Sequence, residues 1–310
     1  MLIFGPVPSR RLGYSIGINN IPPKTFTYSC VYCQLGRTKR ILHQRQPFHE
    51  PNTFVKEINK KIEKTTEKGI TVDYLTFVPD GEPTLDINLG REIESIRPFG
   101  IKIAVITNAS LIWRSDVRED LMKADWVSLK VDTIQEKMWR RINRPHEALK
   151  FKSILDGIFE FASDYSGELV TETMLLNGIN DDNFHNKNVA NFLAQLKPNK
   201  AYISIPIRPP AENWVHTPSE ESINQAYQVF SEKIDNVECL IGYEGNQFVF
   251  TGNIKEDLLS IMAVHPMRED AVGKLLIQAK KDWSIIQRLI ANGSVIETEY
   301  KGKKFFMRKF

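Results

Sequence analysis

The chain has 310 residues, 42% of them hydrophobic and 25% charged, and a formal net charge of +3 at pH 7, a balance typical of one large globular domain with a small appendage. Its three cysteines, an odd number, argue against a disulfide framework and indicate a reducing, cytoplasmic location. No apolar run approaches the roughly 18 residues that a membrane span needs, and the apolar start is too short for a secretory signal, so we expect no membrane contact.

Strand-type and helix-type patterns alternate over most of the chain. Five short apolar or alternating runs are typical of strands: 73–78, 101–106, 126–131, 169–175 and 201–206. Repeated strand–helix units favour a parallel sheet or a β/α barrel, and about six such units favour a partial (β/α)6 barrel over a closed eightfold one. In such folds, ligands gather at the carboxyl ends of the strands.

Helical periodicity fills the intervals between these strands. Apolar residues recur every four positions over 54–62, and they follow the i, i+3, i+4, i+7 rule over 189–196. The segment Thr217-Pro-Ser-Glu220 combines a cap residue, a proline and a glutamate three positions on, which predicts a helix start. Four residues of that helix are expected to face inward: Ile223, Tyr227, Phe230 and Ile234.

The pattern changes after about residue 252, which predicts a barrel over 1–252 and a small domain over 253–310. Helices are expected near 254–264 and 267–280, and a third begins at Asp282 as N-cap and ends at Gly293. The remaining residues to 309 predict a hairpin with a basic tip at Lys301-Gly302. Three helices and a two-stranded wing resemble a winged helix; the alternative is a basic lid packed on the barrel.

The C-terminal segment is the basic part of the chain. Residues 264–310 hold ten Lys and Arg and five Asp and Glu, so this segment carries +5 and the rest of the chain −2. Contacts from Lys and Arg to phosphates supply most non-specific affinity for nucleic acid. The small domain is therefore predicted to bind RNA or tRNA.

A C-x-x-C pair, Cys30 and Cys33, lies four positions after Phe26. Cysteine thiolates hold iron–sulfur clusters, and two of them can bind a [2Fe–2S] unit or a labile cubane with a foreign third ligand. A redox dithiol is an alternative, although no thioredoxin-like βαβ pattern surrounds the pair. Tyr28 and Tyr32 flank the cysteines, where they either shield a cluster and face an adenine or simply pack.

Polar residues gather where three predicted strands end. They comprise Asp80, Gly81, Glu82 and Pro83 after the first strand, Thr107 and Asn108 after the next, and Ser128, Lys130 and Asp132 along the following one. Gly81 permits close approach of another backbone. A lysine within an apolar strand needs a ligand or a partner, because an unpaired buried charge is costly. Lys130 therefore either binds a ligand or forms a structural pair with Asp132.

Together with the cysteines, these segments resemble radical S-adenosylmethionine (radical SAM) enzymes, in a subgroup related to the tRNA wyosine-base enzymes. The matching segments are 5–11, 34–37, 80–84 and 205–210, within a resemblance that covers about residues 1–250. In that family, cysteines spaced C-x-x-x-C-x-x-C hold a [4Fe–4S] cluster. Here Phe26 occupies the first cysteine position, and Asp80 replaces the first glycine of the usual Gly-Gly-Glu-Pro.

The resemblance implies a radical SAM enzyme on a partial TIM-like barrel, with SAM and a [4Fe–4S] cluster at Cys30 and Cys33. The segment 80–83 would meet the amino group of the cofactor methionine, Lys130 its carboxylate, and Asp132 the ribose. The cluster, reduced by a donor such as flavodoxin or ferredoxin, would split SAM into methionine and a 5′-deoxyadenosyl radical, which takes a hydrogen atom from an unidentified substrate.

Phe26 leaves three interpretations open, because the loss of one of three thiolates should leave a cluster labile. The chain is a working radical enzyme, or a cluster-deficient and non-catalytic nucleic-acid-binding protein on the same scaffold. The third interpretation is a cytosolic thiol protein that uses Cys30 and Cys33 as a redox switch. The six histidines show no metal-binding spacing, and no general acid or base is identifiable.

Overall fold

The computed structural model describes residues 2–242 and 248–309. The strands are β1 (Ile3–Ser9), β2 (Gly13–Ile18), β3 (Thr25–Phe26), β4 (Arg40–Ile41), β5 (Tyr74–Phe77), β6 (Lys102–Thr107), β7 (Trp126–Lys130), β8 (Glu168–Met174), β9 (Lys200–Ser204), β10 (Val237–Leu240), β11 (Met267–Arg268), β12 (Val295–Tyr300) and β13 (Lys303–Arg308). The helices are α1 (Thr53–Thr66), α2 (Leu89–Ile96), α3 (Ser115–Leu121), α4 (Glu136–Asn143), α5 (Phe151–Asp164), α6 (Asn183–Leu196), α7 (Glu220–Ser231), α8 (Ile254–Val264), α9 (Glu269–Gln278) and α10 (Ser284–Ala291).

The main sheet has eight strands in the order β1-β2-β5-β6-β7-β8-β9-β10. All pairs are parallel except β1 with β2, which form an antiparallel hairpin at one edge. The five predicted strands and their parallel arrangement are confirmed. Within the described residues, β2 and β10 bring the parallel set to seven strands, where the sequence predicted about six strand–helix units.

The parallel strands are buried because helices cover the sheet. Val105 of β6 and Val127 of β7 are fully buried, as are Phe161 of α5 and Leu193 of α6, and all four belong to one apolar core. Such burial is typical of strands joined by helical crossovers. The sequence analysis missed the β1–β2 hairpin, whose first strand contains Pro6 and Pro8; proline is tolerated at a sheet edge because no ladder donor is needed there.

Residues of the hairpin turn contact strands far away in the sheet order. Arg11 Nη1 lies 2.5 Å from Glu172 Oε2 on β8. Leu12 is buried in an apolar cluster with Ala104 of β6, Tyr202 of β9 and Leu240 of β10. The turn between β1 and β2 therefore packs against residues from the opposite half of the sheet.

The C-terminal segment has the element order α8-β11-α9-α10-β12-β13, with a three-stranded antiparallel sheet in the order β11-β13-β12. It has an apolar cluster of its own around Leu258, Val272, Ile286 and Phe306. The predicted helix 254–264 and hairpin are confirmed, and both residues of the hairpin turn have positive φ (51° and 66°), as a type I′ turn requires. The boundary at residue 252 stays a prediction.

Three local predictions are corrected. Ser219, not Thr217, caps α7, because the Thr217 hydroxyl instead donates to the Pro206 carbonyl at 3.0 Å. Tyr227 is 42% exposed, and Ala226 is the buried residue at that turn of the helix. Trp283 rather than Asp282 is the N-cap of α10, although Asp282 still accepts a bond from the Ser284 amide. Among the described helices, none is long and apolar enough to cross a membrane.

Candidate active site

The loop that carries the two cysteines is anchored to the C-terminal end of α4. The amides of Ser29 and Val31 each donate at 2.9 Å to the carbonyls of Asn143 and Ile142, respectively. The Cys33 amide donates to the Cys30 carbonyl at 3.1 Å, which folds the loop into a tight turn. The backbone therefore fixes where both half-buried thiols lie.

Asn143 links the Cys30 thiol to the neighbouring polar groups. Its Nδ2 lies 3.5 Å from Cys30 Sγ and donates to Asp132 Oδ2 at 2.8 Å. Burial raises the pKa of Cys30 to about 12, and the nearby Asp132 carboxylate adds to the rise. Burial also raises the pKa of Cys33. Both groups are therefore thiols at neutral pH unless a cation or metal binds them.

Phe26 lies in the short strand β3, which pairs with Ile41 of β4. Its ring lines the same cavity as Cys30 and Cys33. Within the described residues, no group of three or more His, Cys, Asp and Glu side chains is placed to hold a metal ion. Phe26 therefore offers no lone pair to a metal in this cavity.

Glu82 is buried where β5 ends, and its carboxylate is held by groups from two strand ends. One oxygen accepts bonds from the Thr84 amide and hydroxyl and from the Thr107 hydroxyl, and the other accepts the Asn108 amide at 2.8 Å. Burial raises the pKa of Glu82, and these bonds oppose the rise. With about four lone-pair sites on a carboxylate, little acceptor capacity remains for a ligand.

Lys130 pairs with Glu172 rather than with Asp132. The two residues are register partners on β7 and β8, and Lys130 Nζ lies 2.7 Å from Glu172 Oε1. Arg11 holds the other oxygen of Glu172, and the Ser204 hydroxyl donates to the first at 2.9 Å. Burial alone would raise the pKa of Glu172, but the two cations hold it well below its usual range.

Asp132 and Asp80 are buried behind the site and already have partners. Asp132 Oδ2 accepts the Tyr32 hydroxyl at 2.5 Å, and its other oxygen accepts the Met174 amide at 2.9 Å. Asp80 Oδ1 lies 3.6 Å from Lys24 Nζ. Burial raises the pKa of Asp80 to about 7, although Lys24 opposes the rise. The Asp132 carboxylate therefore holds Tyr32 and the end of β8, whereas neither Asp80 oxygen accepts a hydrogen bond within the described residues.

A cavity of about 310 Å³ joins these groups at the carboxyl ends of the strands. Eight of the predicted site residues line it: the two cysteines, Tyr32, Gly81, Glu82, Thr107, Asn108 and Lys130. The other four do not: Asp80, Pro83, Ser128 and Asp132. Its wall also contains residues that are not among the predicted site residues: Arg10, Arg11, Glu172, Ser204 and Arg208.

The C-terminal segment closes one side of the cavity. Val264, the last residue of α8, lines it, and its carbonyl accepts the Gln34 side chain at 3.2 Å. Arg208 donates to Gln34 Oε1 at 2.7 Å and lies 2.9 Å from the Nε2 atom of His265. The cysteine loop, the end of β9 and the end of α8 therefore meet at one point of the wall.

A family model described as the radical SAM superfamily matches residues 27–186. The chain belongs to that superfamily. It is also 48% identical over 309 residues to a UPF0026 protein of Methanocaldococcus jannaschii, with 99% of this chain and 96% of that protein covered. This similarity makes the chain a member of the UPF0026 family within the radical SAM superfamily.

Two solved structures have a similar fold. A radical SAM methyltransferase from Sphaerobacter thermophilus matches with a TM-score of 0.56 and 15% identity, over 73% of this chain and 66% of that one. A structure of TYW1 with a lysine–pyruvate adduct bound matches with a TM-score of 0.53 and 17% identity, over 72% and 76%. At these identities the likeness concerns the fold alone, which is the mixed α/β fold of radical SAM proteins.

Radical SAM membership implies SAM and an iron–sulfur cluster as cofactors. The residues present fit the first better than the second. The cavity brings polar strand ends, a lysine and a tyrosine to one place, as a zwitterionic ligand with a nucleoside requires. A cubane held by three protein thiolates does not fit, because the cavity lining offers two cysteines, Cys30 and Cys33, with Phe26 beside them.

Proposed function

We propose that the main sheet is a partial β/α barrel whose mouth is the cavity. Four strand spacings separate β2 from β8 in the sheet order, roughly 19 Å at the usual spacing. That distance is beyond the reach of one side chain, yet Arg11 contacts Glu172. Curvature of the sheet around the Leu12 cluster supports the barrel.

We propose that this cavity binds SAM beside the cysteine loop. Lys130 would hold the cofactor carboxylate, the backbone at Gly81 its amino group, and Thr107 and Asn108 would face the ribose. Lys130 Nζ lies 5.0 Å from the centre of the Tyr32 ring, which supports placing the two at adjacent parts of one ligand. The main support for SAM binding is that eight predicted site residues from separate segments line one cavity.

Asp132 and Glu82 are assigned positioning roles instead of direct contacts. Asp132 would fix the Tyr32 hydroxyl, and Glu82 would fix the ends of β5 and β6 through its four hydrogen bonds. Ser128, Asp80 and Pro83 would support the same segments from outside the cavity. The proposal therefore departs from the ribose contact predicted for Asp132 and the ammonium contact predicted for Glu82.

Radical cleavage of SAM is proposed to require a third cluster ligand that this chain lacks at position 26. The test is anaerobic reconstitution of the native chain and Phe26→Cys with iron and sulfide, with iron counted per chain. We expect Phe26→Cys to approach the four irons of a cubane, to show an electron paramagnetic resonance signal that shifts on adding SAM, and to cleave SAM. The native chain should hold less iron.

Phe159→Cys is the matched control, since it also adds one thiol in place of a half-buried phenylalanine but lies on α5, outside the cavity. It should leave iron content unchanged. Equal iron and equal SAM cleavage in the native chain and Phe26→Cys would show that position 26 is not a missing ligand. A flavodoxin or ferredoxin would be the natural electron donor to test with the repaired chain.

A second candidate function is binding of RNA or tRNA by the C-terminal segment. The observation that favours it is the order α8-β11-α9-α10-β12-β13 with a three-stranded sheet, which is the element order of a winged helix, and a hairpin tip that carries exposed Lys301, Lys303 and Lys304. Because phosphate contacts weaken steeply with salt, binding should be strong at low salt and lost when the three tip lysines are replaced by glutamine. Equal binding by that variant would contradict this role.

The raised pKa values of the two half-buried thiols argue against a redox switch. Attack on a disulfide requires a thiolate, and burial raises the pKa of both Cys30 and Cys33. The pair would therefore exchange slowly at neutral pH. This leaves SAM binding as the function that the geometry supports best.

A further inference from the structure

We infer that Arg11 marks a second subsite in the cavity, which takes the carboxylate or phosphate group of a small anionic substrate. The inference rests on the proposed function, in which SAM occupies the Lys130 side of the same cavity. It assigns the class of molecule that lies beside the cofactor.

Glu172 forms ion pairs with two cationic side chains of the cavity wall. Its Oε1 atom holds Lys130 and its Oε2 atom holds Arg11. Lys130 lies over the Tyr32 ring beside the cysteine loop, whereas the Arg11 guanidinium lies 5.9 Å from the centre of the Tyr202 ring on β9. The two cations therefore lie on the two oxygens of one carboxylate, each over a different aromatic ring.

The charge of the wall favours an anion. Its described lining contains four cations, Arg10, Arg11, Lys130 and Arg208, against two carboxylates, Glu82 and Glu172. Glu82 is already held by four hydrogen bonds, and Glu172 is shared between two cations. SAM adds a sulfonium of its own. Arg10 and Arg208 interact with other groups, so the positive charge that an anionic ligand would meet is that of Arg11 beside Lys130.

Arg11 retains donors for such a ligand. Its contact with Glu172 uses Nη1, and its buried Nε finds no hydrogen-bond partner among residues 2–242 and 248–309. A guanidinium offers N–H groups in a planar fork that matches carboxylate and phosphate oxygens. The side chain is 15% exposed and lines the cavity; because Nε itself is buried, a bound molecule would reach the Nη atoms.

The size of the site favours a small molecule over a nucleic acid. A volume of about 310 Å³ is at the lower end for ligand pockets, and the cofactor takes part of it. The N-terminal hairpin turn and the end of α8 close two of its sides through Arg11 and Val264. A phosphate within a polynucleotide could enter the cavity only together with its adjoining nucleotides.

Isothermal titration of the native chain with inorganic phosphate and with acetate at constant ionic strength tests the inference, alongside titration with SAM. We expect Arg11→Gln to weaken binding of at least one anion tenfold or more, since a charge-assisted bond is lost, and to change SAM affinity less than twofold. Lys130→Gln should weaken SAM binding and spare the anion. In Arg11→Gln, Lys130 and Ser204 still hold Glu172, so the variant should fold.

Arg97→Gln is the matched control, because it also removes an arginine–carboxylate pair, with Asp125, but at an exposed position; neither ligand should respond to it. A preference for phosphate or for acetate identifies which anion the subsite takes, and either supports it. Anion binding unchanged in Arg11→Gln, or absent at millimolar concentration, would overturn the inference. The inference would also be overturned if a short single-stranded RNA bound in an Arg11-dependent manner while neither phosphate nor acetate bound. Failure of SAM to bind any variant would instead overturn the proposed function and leave the anion result to be judged separately.

Discussion

Two buried glutamates have opposite electrostatic surroundings. Glu172 lies between Lys130 and Arg11, which hold its pKa well below the usual range. Glu92, on α2, is fully buried and lies beside Asp86. Burial, together with the Asp86 carboxylate, raises the pKa of Glu92 to about 9. Glu172 is therefore ionised at neutral pH, whereas the Glu92–Asp86 pair keeps a proton.

The protonated Glu92 predicts a pH-dependent stability. The folded chain binds this proton more tightly than the unfolded chain does, so the free energy of unfolding is highest below the ordinary pKa of glutamate and falls as the pH rises through about 9. Glu92→Gln should remove most of this loss, because an amide can donate to Asp86 and accept from Asn20 as the protonated acid does. We expect the variant and the native chain to be nearly equal in stability at pH 5, and the advantage of the variant to grow by up to about 1.4 kcal/mol per pH unit between pH 5 and pH 9.

Urea denaturation at pH 5, 7 and 9 measures this difference. Glu94→Gln on the same helix is the control, because Glu94 is 59% exposed and pairs with Lys123 at the surface; it should follow the native chain at every pH. Parallel loss of stability in the native chain and Glu92→Gln would show that Glu92 is ionised throughout.

At the scale of elements, the loop that follows β9 holds the cysteine loop in place. The Glu212 amide donates to the Val31 carbonyl at 3.1 Å. Its carboxylate accepts two bonds from Arg37, both at 3.0 Å, and one from Arg144 at 2.5 Å. A bidentate arginine pair has a fixed geometry, so this contact orients the segment after Cys33 relative to α4.

Glu212→Gln should therefore loosen the cysteine loop without unfolding the chain. The backbone bond to Val31 remains, but the charge-assisted bonds are lost, and exchange of the Gly36 amide, which donates to the Cys33 carbonyl, should quicken by about tenfold. Hydrogen exchange with mass spectrometry measures it. Glu136→Gln is the control, since Glu136 pairs with Arg140 on an exposed helix face and such pairs contribute little. Equal exchange at Gly36 in both variants would contradict the role given to Glu212.

Sequence patterns predicted the strands and helices better than they predicted which side chains contact each other. The strands over 73–78 and 126–131 were found because their apolar runs reflect burial, which is a local signal. The strand β1 was missed because prolines remove the donors that usually mark a strand. The partner of Lys130 was also missed: Asp132 is nearer in sequence, but the β7–β8 register places Glu172 opposite it, and register between distant strands leaves no local pattern.

The lack of a local signal also explains why some contacts of the site were not predicted. The strand-end rule selected Thr107 and Asn108, and both line the cavity. It could not tell that Asp132 points to Tyr32 instead, since that depends on where α4 brings Asn143. Arg11 reaches Glu172 only because the hairpin turn packs against distant strands, and no spacing in the sequence records that contact.

At the scale of the whole molecule, the described chain has two large apolar cores. One lies between the main sheet and its helices and includes Phe161; the other includes Phe306, whose ring packs edge-on against Trp283 at 5.7 Å. Polar contacts such as Gln34 with Val264 and Tyr300 with Pro206 join the two parts. Separate cores predict separate unfolding, since each part buries its own apolar surface.

Phe306→Ala should destabilise the C-terminal part alone. Truncation of a fully buried phenylalanine costs about 3 kcal/mol or more, so amides of α9 should exchange much faster in moderate urea while those of α6 stay protected. Phe161→Ala is the reciprocal control, because Phe161 is equally buried but lies in the other core; it should accelerate α6 and leave α9 protected. If either variant accelerates both helices alike, the polar contacts couple the cores into one cooperative unit. In that case the C-terminal part is a fixed wall of the cavity and not a separately unfolding unit.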